Sequence, residues 1–381
     1  MRGARTTISC RSIPLIIAIA LLARASAATP FFPIATEWRA PLASAPSAPP
    51  LADTERVFVS LRGGRLVALA LPSGLERWSV ELVAAHRPAL GAGMLFVPTA
   101  TEIRALDAAT GALRWQLRAG PLAVAAIWRD GWLIAGTEAG ELLAIRAADG
   151  SLVWRRQAGR LAAAPSIDGD RLLLPLADGR VALAALTTGE ERWSRALGGA
   201  PGPALADDDR VFVGARDNHF YCLDARDGSL RWRWRTAADV VGLAALDAER
   251  VYFVSLDNVL RALDRWNGAQ RWRRPLPMRA FDGPLTADGL IVVAGLAAEV
   301  LFFDARDGAP AGHWSAGEQL GTPLALTPDA GRIRMVAIAG GISSEWMVIG
   351  VGAAAEKPLE PLSVVPGTPL PPEDVPASRG S

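Results

Sequence analysis

The feature that most constrains this chain is an eleven-residue run that recurs along it. Its complete form, Ala-Leu-Asp-Ala-Ala-Thr-Gly-Ala-Leu-Arg-Trp at 105–115, reads as a strand, a turn that ends in glycine, and a second strand. The Gly-x-x-x-Trp spacing occurs six times, at Gly74/Trp78, Gly111/Trp115, Gly150/Trp154, Gly189/Trp193, Gly228/Trp232 and Gly268/Trp272. A seventh copy, Gly308 to Trp314, carries two extra residues, and successive tryptophans lie 37, 39, 39, 39, 40 and 42 residues apart. A period near 40 with several short strands per unit predicts a β-propeller.

Alignment of the copies on their glycine shows why the unit would form a buried strand. The residue eight positions before the glycine is apolar in every copy: Leu66, Ile103, Leu142, Val181, Phe220, Leu260 and Val300. The residue five positions before it is also apolar: Leu69, Leu106, Ile145, Ala184, Leu223, Leu263 and Phe303. These two positions point to opposite faces of a strand, so the strand must be covered on both sides, as in a blade between two blades. The glycine supplies the positive φ that a tight turn needs.

The run Ala-x-Asp-x-x-Thr-Gly-x-x-x-Trp resembles the repeat of the PQQ-like β-propellers, over residues of about 38 to 350. The resemblance implies an all-β fold, a propeller of four-stranded antiparallel blades. Members of this family include quinoprotein dehydrogenases. They also include proteins that bind no cofactor, such as the propeller lipoprotein of the bacterial outer-membrane β-barrel assembly machine.

Both ends of the repeat array contain an incomplete unit. Ile34-Ala-Thr-Glu-Trp38 looks like the last strand of a unit, and Trp38 precedes Trp78 by one period of 40 residues. At the other end, 322–326, 334–339 and 346–350 read as three strands with no Gly-x-x-x-Trp after them. An N-terminal strand that joined these three would remove an open sheet edge. We therefore predict eight blades, the last of them closed by the N-terminal strand.

Three segments are predicted along the chain. Residues 1–27 carry Arg2, Arg5 and Arg11, then an apolar run of 11 residues and Ala-Ser-Ala, which is typical of a cleaved secretory signal. A retained membrane anchor is the alternative, although the apolar run is short for a span. Residues 28–355 are assigned to the propeller. Residues 356–381 are rich in proline and poor in large apolar residues, so we predict a disordered tail, with a ligand for a proline-binding partner as the alternative.

Composition and motifs give no sign of catalysis. Lys+Arg is 40 and Asp+Glu is 39, so charge indicates no particular partner class, and no nucleic acid is expected. The three histidines, His86, His219 and His313, fall in different repeats without a metal-ligand spacing. Cys10 lies in the predicted signal, which leaves Cys222 alone in the mature chain. The adjacent cysteine pair of the quinoprotein alcohol dehydrogenases therefore cannot form. We predict no catalytic, cofactor-binding or metal-binding residues, and we assign the repeat's tryptophans and glycines a structural role.

Three short motifs have both a structural and a functional interpretation. Asp207–Asp209 reads as a solvated turn or a cation loop, and 216–219 as a hairpin tip with or without a ligand. Trp232-Arg-Trp-Arg235 alternates rings and cations along one strand, which fits a half-buried strand or a surface for an anion or a single-stranded polymer. The structural interpretation is favoured in all three.

Two functions remain. The first is a non-enzymatic periplasmic scaffold, monomeric and without a lipid anchor, that binds other envelope proteins. Assembly of the envelope or of outer-membrane proteins is the process that the resemblance suggests. The alternative is a quinoprotein-like oxidoreductase or a small-ligand binder that uses the central channel, supported by fold analogy alone.

Overall fold

The structure, a computed structural model, describes residues 34–329, 332–341 and 344–353. Within these residues the chain forms β-strands and turns, and no segment is helical. Nothing in the described part is a helix with the length and apolar character needed to cross a membrane. The predicted signal, 1–27, and the predicted tail, 356–381, lie outside the described residues.

Thirty-two strands form eight four-stranded antiparallel sheets, which confirms the predicted eight-bladed propeller. In each blade the first strand named is the innermost and the last is the outermost. Blade 1 contains β2 (Leu51–Ala52), β3 (Arg56–Leu61), β4 (Arg65–Ala70) and β5 (Glu76–Glu81). Blade 2 contains β6 (Ala89–Gly91), β7 (Met94–Pro98), β8 (Glu102–Asp107) and β9 (Leu113–Arg118). Blade 3 contains β10 (Ile127–Arg129), β11 (Trp132–Gly136), β12 (Glu141–Arg146) and β13 (Leu152–Gln157). Blade 4 contains β14 (Ser166–Asp168), β15 (Arg171–Pro175), β16 (Arg180–Ala185) and β17 (Glu191–Ala196).

The second half of the ring repeats this order. Blade 5 contains β18 (Pro201–Asp207), β19 (Arg210–Ala215), β20 (His219–Asp224) and β21 (Leu230–Arg235). Blade 6 contains β22 (Ala245–Leu246), β23 (Arg250–Ser255), β24 (Val259–Asp264) and β25 (Gln270–Pro275). Blade 7 contains β26 (Leu285–Ala287), β27 (Leu290–Ala294), β28 (Glu299–Asp304) and β29 (Pro310–Ser315). Blade 8 contains β30 (Ala325–Asp329), β31 (Arg332–Gly341), β32 (Ser344–Ala353) and β1 (Ile34–Leu42).

Blade 8 joins the two ends of the chain as predicted. Strand β1 pairs antiparallel with β32 from Ile34 opposite Ala353 to Leu42 opposite Trp346. The Trp38 ring is buried in the apolar cluster between blades 8 and 1, and its indole N–H donates to the Leu71 carbonyl at 2.6 Å. The N-terminal strand therefore completes the last blade and also binds the first one.

The core is divided into eight apolar clusters, one at each junction between neighbouring blades. The repeat tryptophans connect these junctions. Six of them donate an indole N–H to the carbonyl three residues before the next repeat's glycine: Trp38, Trp78, Trp115, Trp154, Trp193 and Trp272. Trp314 donates instead to the Thr36 hydroxyl at 3.3 Å. Five of the eight rings are buried, whereas Trp78, Trp115 and Trp232 are half-buried.

The antiparallel order gives the ring two distinct faces. The glycine-turn face carries the turns that join the first strand of a blade to the second and the third to the fourth. The connection face carries the turns between second and third strands and the links between blades. Groups on the two faces are therefore separated by the length of a strand, about 20 Å for six residues.

Candidate functional site

A cavity lies in the central channel, at the connection face. It has a volume of about 140 Å³ and is lined by residues that precede inner strands, among them Arg87, Leu243, Phe281 and Asp282. The surrounding protein lowers the pKa of Arg87 by desolvation, and the charge of Asp282 opposes this shift. Since one water occupies about 30 Å³, the cavity has room for a few waters, and it is smaller than the usual pocket for a drug-sized ligand.

The described residues that line this cavity do not fit a quinone cofactor with its divalent cation. Such a cation takes six or more oxygen ligands from protein, cofactor and water, and Asp282 is the one carboxylate among the described residues that line the cavity. Across 34–329, 332–341 and 344–353, no group of three or more His, Cys, Asp or Glu side chains is placed to hold a metal ion. These residues therefore do not supply the donor set that a quinone and its cation require.

A groove at the rim between blades 4 and 5 is lined by polar side chains together with the apolar side chains of Ala196, Leu197, Leu223 and Leu230. This 4/5 groove has a volume of about 340 Å³ and is lined by Arg195 and Gly198 of blade 4 and by Asp217, His219, Tyr221 and Arg233 of blade 5, among others. The Tyr221 hydroxyl donates to the Asp217 carboxylate, and burial raises the pKa of Tyr221 to about 12. No carboxylate in the described part of the chain pairs with Arg195 or Arg233, so both guanidinium groups remain available to an anionic partner.

A second groove lies between blades 1 and 2. This 1/2 groove has a volume of about 520 Å³ and includes Gly64, Val83, Thr101 and Glu102. Val83 is 68% exposed, and the Glu102 carboxylate pairs with Arg104 at 2.6 Å. The two grooves therefore differ in character, since the 4/5 groove offers free cations and the 1/2 groove offers an apolar side chain beside a neutralised pair.

The acidic residues of the repeat are held in their own turns. Asp107 accepts backbone N–H groups from Ala109 and Thr110, both at 2.9 Å, and a guanidinium N–H from Arg114. Asp224, Asp264 and Asp304 accept turn amides in the same way. The Arg114 hydrogen bond, with those of Thr110, lowers the pKa of Asp107 to about 2. Hydrogen bonds from Arg306 lower the pKa of Asp304 to about 2 as well.

These shifts predict how stability depends on pH. A carboxyl group whose pKa is lower in the folded state stabilises the fold above its ordinary pKa of 3.8, and this contribution is lost as pH falls towards 2. We expect the midpoint temperature of unfolding to fall steeply as the pH is lowered from about 4 to 2. Asp107→Asn should lower stability at pH 7 and flatten this acid limb, in thermal unfolding followed from pH 7 to 2. An unchanged pH profile would contradict the assignment.

The other sequence motifs have structural roles in the packed ring. Asp207 pairs with Arg265, and Asp209 pairs with Arg210 and Arg231. The carboxylates of this acidic loop are therefore neutralised by arginines of the chain itself. Trp232 and Trp234 pack inward and the two arginines between and after them are exposed. Cys222 is buried, and burial raises its pKa to about 12, so its thiol is inert.

The hairpin tip 216–219 is brought together with residues that the sequence did not connect to it. Asp217 and His219 line the 4/5 groove beside Arg195, which comes from the preceding blade. Such contacts between blades leave no local pattern in the sequence. The pair Arg265–Trp266 was also missed, and its signal was present, because Arg265 interrupts a position that is Leu or Ala in every other repeat.

Comparison with known proteins agrees with this geometry. A family described as outer membrane protein assembly factor BamB matches residues 35–173, 99–205 and 177–322. The chain belongs to this family of PQQ-like propellers. No curated protein matches the sequence.

Solved structures show the same fold in proteins of different kinds. BamB from Moraxella catarrhalis has a TM-score of 0.67 and 19% identity, over 83% of this chain and 97% of that chain. The computationally designed protein Ika8 has a TM-score of 0.69 and 13% identity, over 84% and 99%. The quinohemoprotein alcohol dehydrogenase ADHIIG from Pseudomonas putida HK5 has a TM-score of 0.66 and 13% identity, over 89% and 79%. At these identities the likeness extends to the propeller fold alone.

Proposed function

We propose that this protein is a non-enzymatic periplasmic scaffold that binds other envelope proteins, in the assembly of outer-membrane proteins. The observation that carries the proposal is the match of most of the chain to the family described as an outer membrane protein assembly factor. The character of the surfaces supports it. The channel cavity is small, the acidic residues of the repeat are committed to turns, and two larger concavities lie at the rim between blades.

The 4/5 groove is the surface that we propose for a partner. Protein interfaces favour Arg and Tyr, and charged groups without a partner on the free surface can pair across an interface. Arg195 and Arg233 meet this description, and Tyr221 adds a ring already oriented by Asp217. A partner segment with Asp or Glu side chains fits this groove best.

Photo-crosslinking in cells tests the proposal. A photoreactive phenylalanine replaces Arg233 in the 4/5 groove or Val83 in the 1/2 groove. The matched control replaces Arg273, which occupies the same repeat position as Arg233 in blade 6 and is exposed. We expect discrete adducts with envelope proteins from position 233, identified by mass spectrometry, and none of these from position 273. Identical adducts at 233, 83 and 273, or none at any position, would contradict the scaffold role.

A further inference from the structure

The repeat breaks its own rule at the junction between blades 5 and 6. Three residues before the glycine, six repeats carry Leu or Ala, whereas blade 6 carries Arg265. The next residue, Trp266, stands where the other repeats have Pro, Ala, Thr or Arg. Both lie in the turn between β24 and β25, on the glycine-turn face.

This departure disturbs the packing of the repeat. At six junctions the tryptophan indole donates to the carbonyl at the position that Arg265 occupies in blade 6. Trp232, which docks at this junction, has a buried indole N–H with no hydrogen-bond partner in the described part of the chain. An unpaired buried donor destabilises the fold, because it has lost its hydrogen bonds to water and gained none in the protein. Arg265 itself pairs with the Asp207 carboxylate and donates to the Asp247 carbonyl at 3.2 Å, but the Trp232 donor keeps no partner among the described residues. A departure from a local rule that leaves such a donor unpaired is expected at a functional surface.

The Trp266 ring is held in position and yet open to solvent. The Arg210 guanidinium lies 4.1 Å from the ring centroid, and that of Arg265 lies 5.0 Å away. Both arginines are buried, and their Nε atoms have no hydrogen-bond partner among the described residues. The Trp266 side chain is nevertheless 48% exposed. Cation–π contact therefore fixes the ring while a large part of its surface stays uncovered.

We propose that Trp266 is a docking platform for the proline-rich segment 366–372 of this same chain. The described chain ends at Ala353, the last residue of the third strand of blade 8. Trp266 follows the third strand of blade 6. Since third strands of all blades end on one face, residues 354–381 start from the face that carries Trp266. Independently of the proposed function, the exposed ring therefore has a ligand within the protein.

The segment has the reach and the chemistry for this site. Stacked sheets lie about 10 Å apart, so two blade spacings amount to about 20 Å near the middle of the ring and more at its rim. A polyproline II helix rises about 3.1 Å per residue, so the residues between 353 and 366 can extend about 40 Å. The segment reads Pro-Gly-Thr-Pro-Leu-Pro-Pro, and proline-rich segments dock on aromatic surfaces in this conformation.

Fluorine NMR on the full chain tests the inference. The protein is labelled with 5-fluorotryptophan, and the Trp266 signal is assigned from its loss in Trp266→Phe. A nitroxide is attached at Leu370→Cys in a Cys10→Ser background, where labelling is selective because the remaining native thiol, Cys222, is buried and burial raises its pKa to about 12. We expect the Trp266 signal to lose most of its intensity when the nitroxide is at residue 370. The intensity should return when the nitroxide is reduced. It should also return when Pro371→Ser and Pro372→Ser are combined in the labelled protein. The matched control is a nitroxide at Arg62→Cys, in the exposed turn between β3 and β4 on the connection face.

Three outcomes would overturn the inference. The first is an unchanged Trp266 signal with the label at residue 370. The second is equal broadening of Trp266 from the label at residue 62. The third is broadening in a mixture of fluorinated unlabelled protein and non-fluorinated labelled protein, because the ligand would then be the tail of a second copy.

Discussion

Deletion of residues 34–42 is expected to destabilise the protein more than any single substitution in its core. It removes the outer strand of blade 8, exposes β32 along its length and empties the site that Trp38 fills between blades 8 and 1. Loss of a large core aromatic alone costs about 3–5 kcal/mol. With an unfolding entropy of about 2.1 cal/mol/K per residue, this loss of free energy lowers the unfolding temperature of a domain of this size by about 5 °C. The deletion should lower the unfolding temperature by more than that. An unpaired strand edge should also cause aggregation.

Calorimetry and light scattering measure both effects. Trp38→Ala should lower the free energy of unfolding by about 3–5 kcal/mol. This loss corresponds to a decrease of about 5 °C in the unfolding temperature. The matched control is Trp266→Ala, which removes the same side chain from a half-exposed position and should cost less. If the deletion leaves the unfolding temperature unchanged, closure by the N-terminal strand is wrong.

The second large effect is expected at the contact between a repeat tryptophan and the next glycine. Trp193 is buried and donates its indole N–H to the Ala225 carbonyl at 3.0 Å. A Cβ at Gly228 would lie 2.6 Å from the Trp193 ring, and Gly228 has a φ of +71°. Trp193→Ala should cost about 3–5 kcal/mol. An alanine with this positive φ lowers the free energy of unfolding by about 1–2 kcal/mol. Gly228→Ala should lower it by more, because the Trp193 ring must also move.

A double-mutant cycle isolates the contact. In the Trp193→Ala background, Gly228→Ala should cost only its backbone conformation, so the two changes together should cost less than their sum by about 0.5–3 kcal/mol. Gly93→Ala is the matched control, since Gly93 also has a φ of +71° but nothing lies within 4 Å of its added Cβ. Additive costs in denaturant unfolding would show that the ring does not pack on the glycine as described.

The fold was predictable because its information is local and repeated. In each unit a glycine marks the turn, and apolar residues at two fixed positions mark the buried strand. Because seven copies show the same pattern, each copy supports the interpretation of the others. The eighth blade was also predictable, because Trp38 lies one period before Trp78. The half-buried state of Trp78, Trp115 and Trp232 was not predictable. It depends on how far the neighbouring blade covers each outer strand.

The candidate sites were harder to predict for a physical reason. The 4/5 groove joins Arg195 to Tyr221 across two blades, and no spacing in the sequence reports which side chains of adjacent blades leave a gap. That Arg195 and Arg233 have no carboxylate partner among the described residues is likewise a property of the packed ring. Trp266 is the exception, because the alignment of repeats already marks Arg265 as a break in an apolar column.

The measurement that tests the non-enzymatic role most directly is a calorimetric titration of the purified protein with PQQ and Ca²⁺, followed by a dye-linked assay with alcohols and glucose. We expect no saturable binding and no turnover, because the described lining of the channel cavity, of about 140 Å³, offers one carboxylate and little space. Stoichiometric binding of the quinone with substrate-dependent dye reduction would contradict the scaffold role and make the channel an active site.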